Sequence, residues 1–171
     1  EFVRAGTRLA MAEMVRGGVT CFNDMYFFPD ATARAAAECG MRASIGLIVI
    51  EFSTAWAENA TAYLQRAAEV RTLVESLPRL SATLAPHAPY TVAPATLERV
   101  LALSEQWQMP IHIHLHETAD EIRQCQREHG HRPMALLDEL GLLGPRLLAV
   151  HMTQLEAGEI ARLAETGTHV L

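Results

Sequence analysis

Three histidines and a glutamate crowd one short stretch, Pro110–Thr118, which reads PIHIHLHET. His112, His114 and His116 alternate with Ile111, Ile113 and Leu115. Period two is the strand period, so a regular strand would turn all three imidazoles to one face, with Glu117 where the strand runs out. Each neutral imidazole carries one donor and one acceptor nitrogen. Three rings on one face are therefore hard to satisfy as ordinary buried polar groups. Imidazole is a common ligand for divalent metals, and it is the side chain whose ordinary pKa lies nearest neutrality. The pattern points to a metal or acid–base site. Two more histidines directly follow candidate strands: His87 in APHAPY and His151 in LLAVHMTQL. Pro86 and Pro89 flank His87 and stiffen its loop. Asn23-Asp24 closes another candidate strand, with Tyr26 just beyond it. His129, His131 and His169 carry no spacing signal. The zinc-deaminase pattern H-x-E with P-C-x-x-C is not found, because no P-C-x-x-C occurs.

These residues need elements to hold them. Leu9, Ala10, Met14 and Val15 recur at helical spacing, and Gly17-Gly18 ends that helix. Val19–Met25 reads as a short strand. Pro29-Asp30 opens an Ala-rich helix that runs to Gly40. Arg42–Ile50 is a nearly continuous apolar run, as expected of a strand buried on both faces. The spacing then predicts a helix over Ala57–Leu77, a strand over Leu80–Ala85 and an amphipathic helix over Thr96–Gln108. After the strand Ile111–His116 come helices at Ala119–Glu128 and Pro133–Leu140, the strand Leu147–His151, the helix Glu156–Glu165 and the strand Thr168–Leu171. Alternation of strand and helix predicts an α/β fold with a parallel sheet. An open doubly wound sheet would want G-x-G-x-x-G after a strand, and none is present. The polar residues gather at the strands' C-terminal ends, where (β/α)8 barrels keep their chemistry.

Composition narrows the classes further. Half the residues are hydrophobic and a fifth charged, as in a globular domain. The net charge of −6 comes with acids and bases interspersed and no basic stripe, so we expect no nucleic-acid partner. No apolar run approaches the ~18 residues a membrane helix needs, so no membrane association is expected. Cys21, Cys39 and Cys125 are odd in number and form no CxxC, which fits reduced thiols in a cytoplasm. The chain opens on Glu1-Phe2 and stops on a strand, and we expect an internal segment of a longer protein.

Taken together, IHIHLHET, APHAPY and LLAVHMTQL resemble the amidohydrolase superfamily. Within it, the chain is most similar to the 5-methylthioadenosine/S-adenosylhomocysteine deaminase branch. Guanine deaminases and triazine hydrolases are further relatives. The similarity extends from the helix at Arg4–Val15 through GGVTCFNDMYF to TGTHVL. The resemblance implies a single incomplete (β/α)8 TIM barrel domain over residues 1–171, supplying barrel strands two to seven. Strand one with its His-x-His ligands and strand eight with its Asp ligand would lie outside these residues. It implies a divalent metal, zinc first, with iron or manganese accepted by the same kind of ligand. His114 would be a metal ligand. His151 would be catalytic and able to ligate as well. Glu117, in the family's His-x-x-Glu spacing, would bind the purine and shuttle a proton. His87 would contact substrate, and Asp24 and Tyr26 would support the site. His112 would be a buried, hydrogen-bonded interior residue, and His116 would support the site without ligating.

The implied reaction is hydrolytic deamination of an adenine nucleoside by metal-activated water. Members favouring S-adenosylhomocysteine are expected to meet its carboxylate with Arg in the loop at Val49–Ala62. Here that loop has no Arg or Lys. Its Phe52 and Trp56 suit an apolar methylthio group, so 5-methylthioadenosine is the expected substrate. The alternatives are a guanine deaminase or triazine-type hydrolase and, in another class, a non-catalytic barrel fragment. The complete protein is expected to form a homo-oligomer.

Overall fold

The computed structural model describes all residues, Glu1–Leu171. Two compact units make up the chain, Glu1–Ala85 and Pro86–Leu171. Helices alternate with strands throughout. This is the α/β order of part of a (β/α)8 barrel.

The first unit holds α1 (Phe2–Arg16), β1 (Cys21–Asp24), α2 (Pro29–Cys39), β2 (Arg42–Val49), α3 (Ala60–Glu75) and β3, which runs from Leu80 to Pro86. Pro29 stands at the first turn of α2, where a missing N–H costs nothing. Gly40 ends that helix at φ 70°, a left-handed conformation that glycine adopts without penalty. Ala33, Ala35 and Ala36 are fully buried on α2, which packs against β2. The predicted helix from Ala57 begins instead at Ala60, because the Asn59 side chain accepts the Ala62 N–H and sets the start. β1 and β2 pair in parallel, Cys21 beside Arg42 and Asp24 beside Ile45. Ile45, Leu47, Ile48 and Val49 are all buried, as an apolar run covered on both faces should be. Gly46 sits so close to β1 that an added Cβ would lie 2.4 Å from the Asp24 carbonyl oxygen.

The second unit holds α4 (Pro94–Trp107), β4 (Ile111–Leu115), α5 (Ala119–His129), α6 (Pro133–Glu139), β5 (Leu147–His151), α7 (Ala157–Thr166) and β6 (His169–Val170). β4 pairs in parallel with β5, His114 beside Val150 and Leu115 beside His151. β5 pairs in parallel with β6. Ile111, Ile113 and Leu115 are buried to 2% exposure or less, which anchors β4 through its apolar face. Each such side chain contributes roughly 1.5–3 kcal/mol on burial. Thr118 caps α5 by accepting the Glu121 N–H, and Gly130 closes it at φ 79°. A reciprocal Glu156–Glu159 capping box opens α7. No helix is long and apolar enough to cross a membrane.

Candidate active site

The second unit brings together His87, His114, Glu117 and His151 at the C-terminal ends of β4 and β5 and in the loop after β3. His114 is half-buried near the end of β4. Its backbone N–H and its Nδ1 both lie at hydrogen-bonding distance from the His87 carbonyl, at 3.1 and 3.0 Å. A carbonyl only accepts, so Nδ1 carries the proton and Nε2 keeps its lone pair. Burial pushes the His114 pKa below its ordinary value, with the nearby His151 adding to the effect and the His87 carbonyl opposing it. A neutral ring in a fixed tautomer is what a metal ligand requires.

His87 is fixed by the same logic. The Thr91 hydroxyl donates its one proton to the Ala88 carbonyl, so it accepts from His87 Nδ1 at 2.9 Å. His87 Nε2 is thereby left as an acceptor. The ring lies edge-on to His114 at 5.1 Å and to Tyr90 at 5.9 Å. Burial and the neighbouring His114 depress its pKa, partly offset by Glu117.

His151 stacks on His114, ring centres 5.3 Å apart and planes inclined by 29°. The pairing of β4 with β5 puts His114 level with Val150. Regular alternation would then send His151 to the opposite face. His151 instead adopts φ 80°, which takes its ring out of the alternation. Its Nε2 lies 3.6 Å from Glu117 Oε1, with both side chains more than a third exposed.

The structure changes the reading of the other two histidines on this stretch. His116 does not continue the strand: it turns left-handed at φ 53° and is completely buried. Its Nε2 accepts the Met134 N–H at 3.0 Å, and its Nδ1 donates to the Gln154 carbonyl at 3.2 Å. Both nitrogens are occupied by backbone, so this ring is a strut, as its expected supporting place requires. The one-face arrangement of three imidazoles is thus corrected to two. His112 is buried as expected, 5.9 Å from His114. Its buried Nδ1 has no partner. Burial, then the His114 charge, drops its pKa to about 4.

The remaining expected residues belong to the first unit. Phe52 is 55% exposed, whereas Trp56 is buried at 7%. Trp56 packs edge-on against Phe28 at 5.2 Å and lies beneath the Arg66 guanidinium at 4.5 Å. Asp24 is half-buried with Oδ2 unpartnered, and burial raises its pKa against a hydrogen bond with Thr32. Tyr26 is half exposed.

Sequence reasoning missed two residues around the site. Glu121 is buried at 3% exposure and accepts the N–H groups of His116 and Glu117. Thr153 Oγ1 lies 2.7 and 3.1 Å from the carbonyls of Glu117 and His116 and shares its one proton between them. The spacing Thr118-x-x-Glu121 is a capping-box signature and could have pointed to Glu121. Nothing local marks Thr153.

The donor chemistry of His114 and His151 fits a borderline divalent ion. Within the second unit, no group of three or more His, Cys, Asp or Glu is placed so that it could hold one metal ion. Four-coordinate binding therefore needs donors beyond this pair.

The chain is similar to several known proteins. The 5-methylthioadenosine/S-adenosylhomocysteine deaminase of Teredinibacter turnerae is 46% identical over 171 residues, covering 100% of this chain and 39% of that protein. The 5'-deoxyadenosine deaminase of Methanoregula boonei is 43% identical over 167 residues, covering 96% of this chain and 37% of that protein. The crystal structure of an adenosine deaminase from Xanthomonas campestris with bound zinc superposes with a TM-score of 0.96 at 49% identity, over 99% of this chain and 38% of that one. The chain spans about two fifths of the length of these relatives. The family model of the Amidohydrolase family matches residues 1–171, and the chain belongs to that family.

Proposed function

We propose that the complete protein is a metal-dependent hydrolase that deaminates an adenine nucleoside. Water adds at C6 of the purine, the C6–N bond breaks, and ammonia leaves. The observation that carries this reading is the locked tautomer of His114, which leaves Nε2 as the acceptor on a ring stacked with His151, with Glu117 3.6 Å from that second ring. His114 would hold the metal, and His151 would be either a further ligand or a group stabilising the tetrahedral adduct at C6. When bound, the ion supplies Lewis acidity and a water of pKa about 7. Zinc suits two imidazoles best, and the zinc-bound adenosine deaminase structure supports that choice. Glu117 delivers a proton to a ring nitrogen of the purine, which makes C6 more electrophilic. His87 presents Nε2 as an acceptor towards the substrate.

The substrate reading goes one step finer. The loop 49–62 contains Glu51 and Glu58 and no basic residue. By resemblance it faces the 5' end of the nucleoside. Arg66 lies nearby in sequence, but its guanidinium is engaged over Trp56. A carboxylate there would lack a charge-assisted donor worth about 1.5–3 kcal/mol, roughly tenfold to hundredfold in affinity. Phe52 suits an apolar S-methyl group. Steady-state ammonia release from adenosine, 5'-deoxyadenosine, 5-methylthioadenosine and S-adenosylhomocysteine tests both levels. The expected kcat/KM for 5-methylthioadenosine is at least about tenfold above that for S-adenosylhomocysteine. Release from none of the four refutes the activity. Equal or better use of S-adenosylhomocysteine refutes the 5' preference alone.

A further inference from the structure

Glu117 has little packing to aim it, since its side chain is 41% exposed. Its direction is set by its backbone. That backbone leaves β4 through His116 in a left-handed conformation that costs a non-glycine residue about 1–2 kcal/mol. Something must hold it there. The Glu121 carboxylate, buried beneath this turn, takes the His116 N–H on Oε1 at 2.9 Å and the Glu117 N–H on Oε2 at 2.7 Å. On the other side, the His116 carbonyl accepts the N–H groups of Thr153 and Gln154 at 3.0 and 3.2 Å. Glu121 supplies the two bonds that come from the helix, and without it two amides beneath the turn lose their partners.

We propose that Glu121 is a positioning residue for the reaction: it holds the 116–117 backbone so that Glu117 stays poised at His151. It differs from an ordinary helix cap because its carboxylate passes over the Thr118 N–H and reaches the two residues before it. The proposal rests on the assigned role of Glu117, and the test separates the two. The complete enzyme would be compared with E121A, E121Q and T118A by kcat, KM, unfolding midpoint and hydrogen exchange over 115–118. Thr118→Ala removes the α5 cap and leaves the Glu121 carboxylate in place.

For E121A, kcat should fall about tenfold to hundredfold, the scale of a 1 Å misplacement, while KM stays within about threefold. Exchange of the His116 and Glu117 amides should accelerate about tenfold or more. E121Q keeps one acceptor and turns an NH2 towards the second amide, so it should fall between E121A and the parent in both readouts. T118A should lower the unfolding midpoint with little change in kcat. Folded E121A with the parent's kcat and protected amides overturns the proposal. So does a kcat loss in E121A and T118A that simply follows stability. Should E121A not fold, E121Q decides, and parental kcat and exchange in E121Q overturn it. Should the parent deaminate nothing, the activity reading fails and the exchange comparison alone decides whether Glu121 holds the turn.

Discussion

Replacing His116 by alanine and by glycine separates its two costs. The ring accepts from the Met134 N–H and donates to the Gln154 carbonyl, and it is completely buried. Either substitution orphans the Met134 N–H, whereas the Gln154 carbonyl keeps the Arg132 guanidinium as a donor. The orphaned amide costs about 1–3 kcal/mol and the lost bond to Gln154 about 0.5–1.5 kcal/mol more, before any cavity is counted. That is a large part of the ~5–15 kcal/mol by which proteins are stable. The second cost is conformational. At φ 53°, alanine pays about 1–2 kcal/mol that glycine does not. Glycine gives back about 0.4–1 kcal/mol through the greater freedom of its unfolded chain. Glycine should therefore be the more stable of the two by about 0.5–1 kcal/mol, the reverse of their order in ordinary backbone. Urea unfolding of the complete protein, followed by circular dichroism, measures both at a shared slope. Alanine equal to or better than glycine would refute the left-handed argument. Both variants within about 1 kcal/mol of the parent would refute the value placed on the ring's two bonds.

Other outcomes follow from the same geometry. His114→Ala should lower metal content as well as rate, measured by elemental analysis of the purified protein beside activity. Glu117→Gln should keep the metal and lose about 10²–10⁴ in kcat, the usual worth of a positioned proton carrier; loss of metal in this variant would reverse the division of roles between the two residues. Gly46→Ala would press a methyl group to within 2.4 Å of the Asp24 carbonyl, and should cost about 1–3 kcal/mol or more in the same urea assay. Burial, reinforced by Glu121 and Glu128, pushes the Cys125 thiol up to about 11, whereas Cys21 and Cys39 are exposed. In native protein at pH 8, Cys125 should react with a disulfide reagent far more slowly than the other two, and the difference should vanish on unfolding.

The order of strands and helices was legible residue by residue, because apolar spacing, Pro29, Gly40 and Gly130 act within one or two turns of chain. So was the clustering of His87, His114, Glu117 and His151, since each directly follows or ends an apolar strand run. Local pattern failed where backbone left the regular regions. His116 was read as a third imidazole on the strand face, and its left-handed turn carried it instead to Met134 and Gln154, some 18 and 38 residues away in sequence. His151 should have pointed away from His114, and its own positive φ brought the two rings together. Positive φ in a non-glycine residue has no compositional mark, because neighbouring elements impose it. By itself, the sequence determined the α/β alternation and which residue types stand at the strand ends. Only the tertiary structure decided which nitrogen of each histidine is left for chemistry, because that depends on carbonyls and hydroxyls brought from elsewhere in the chain.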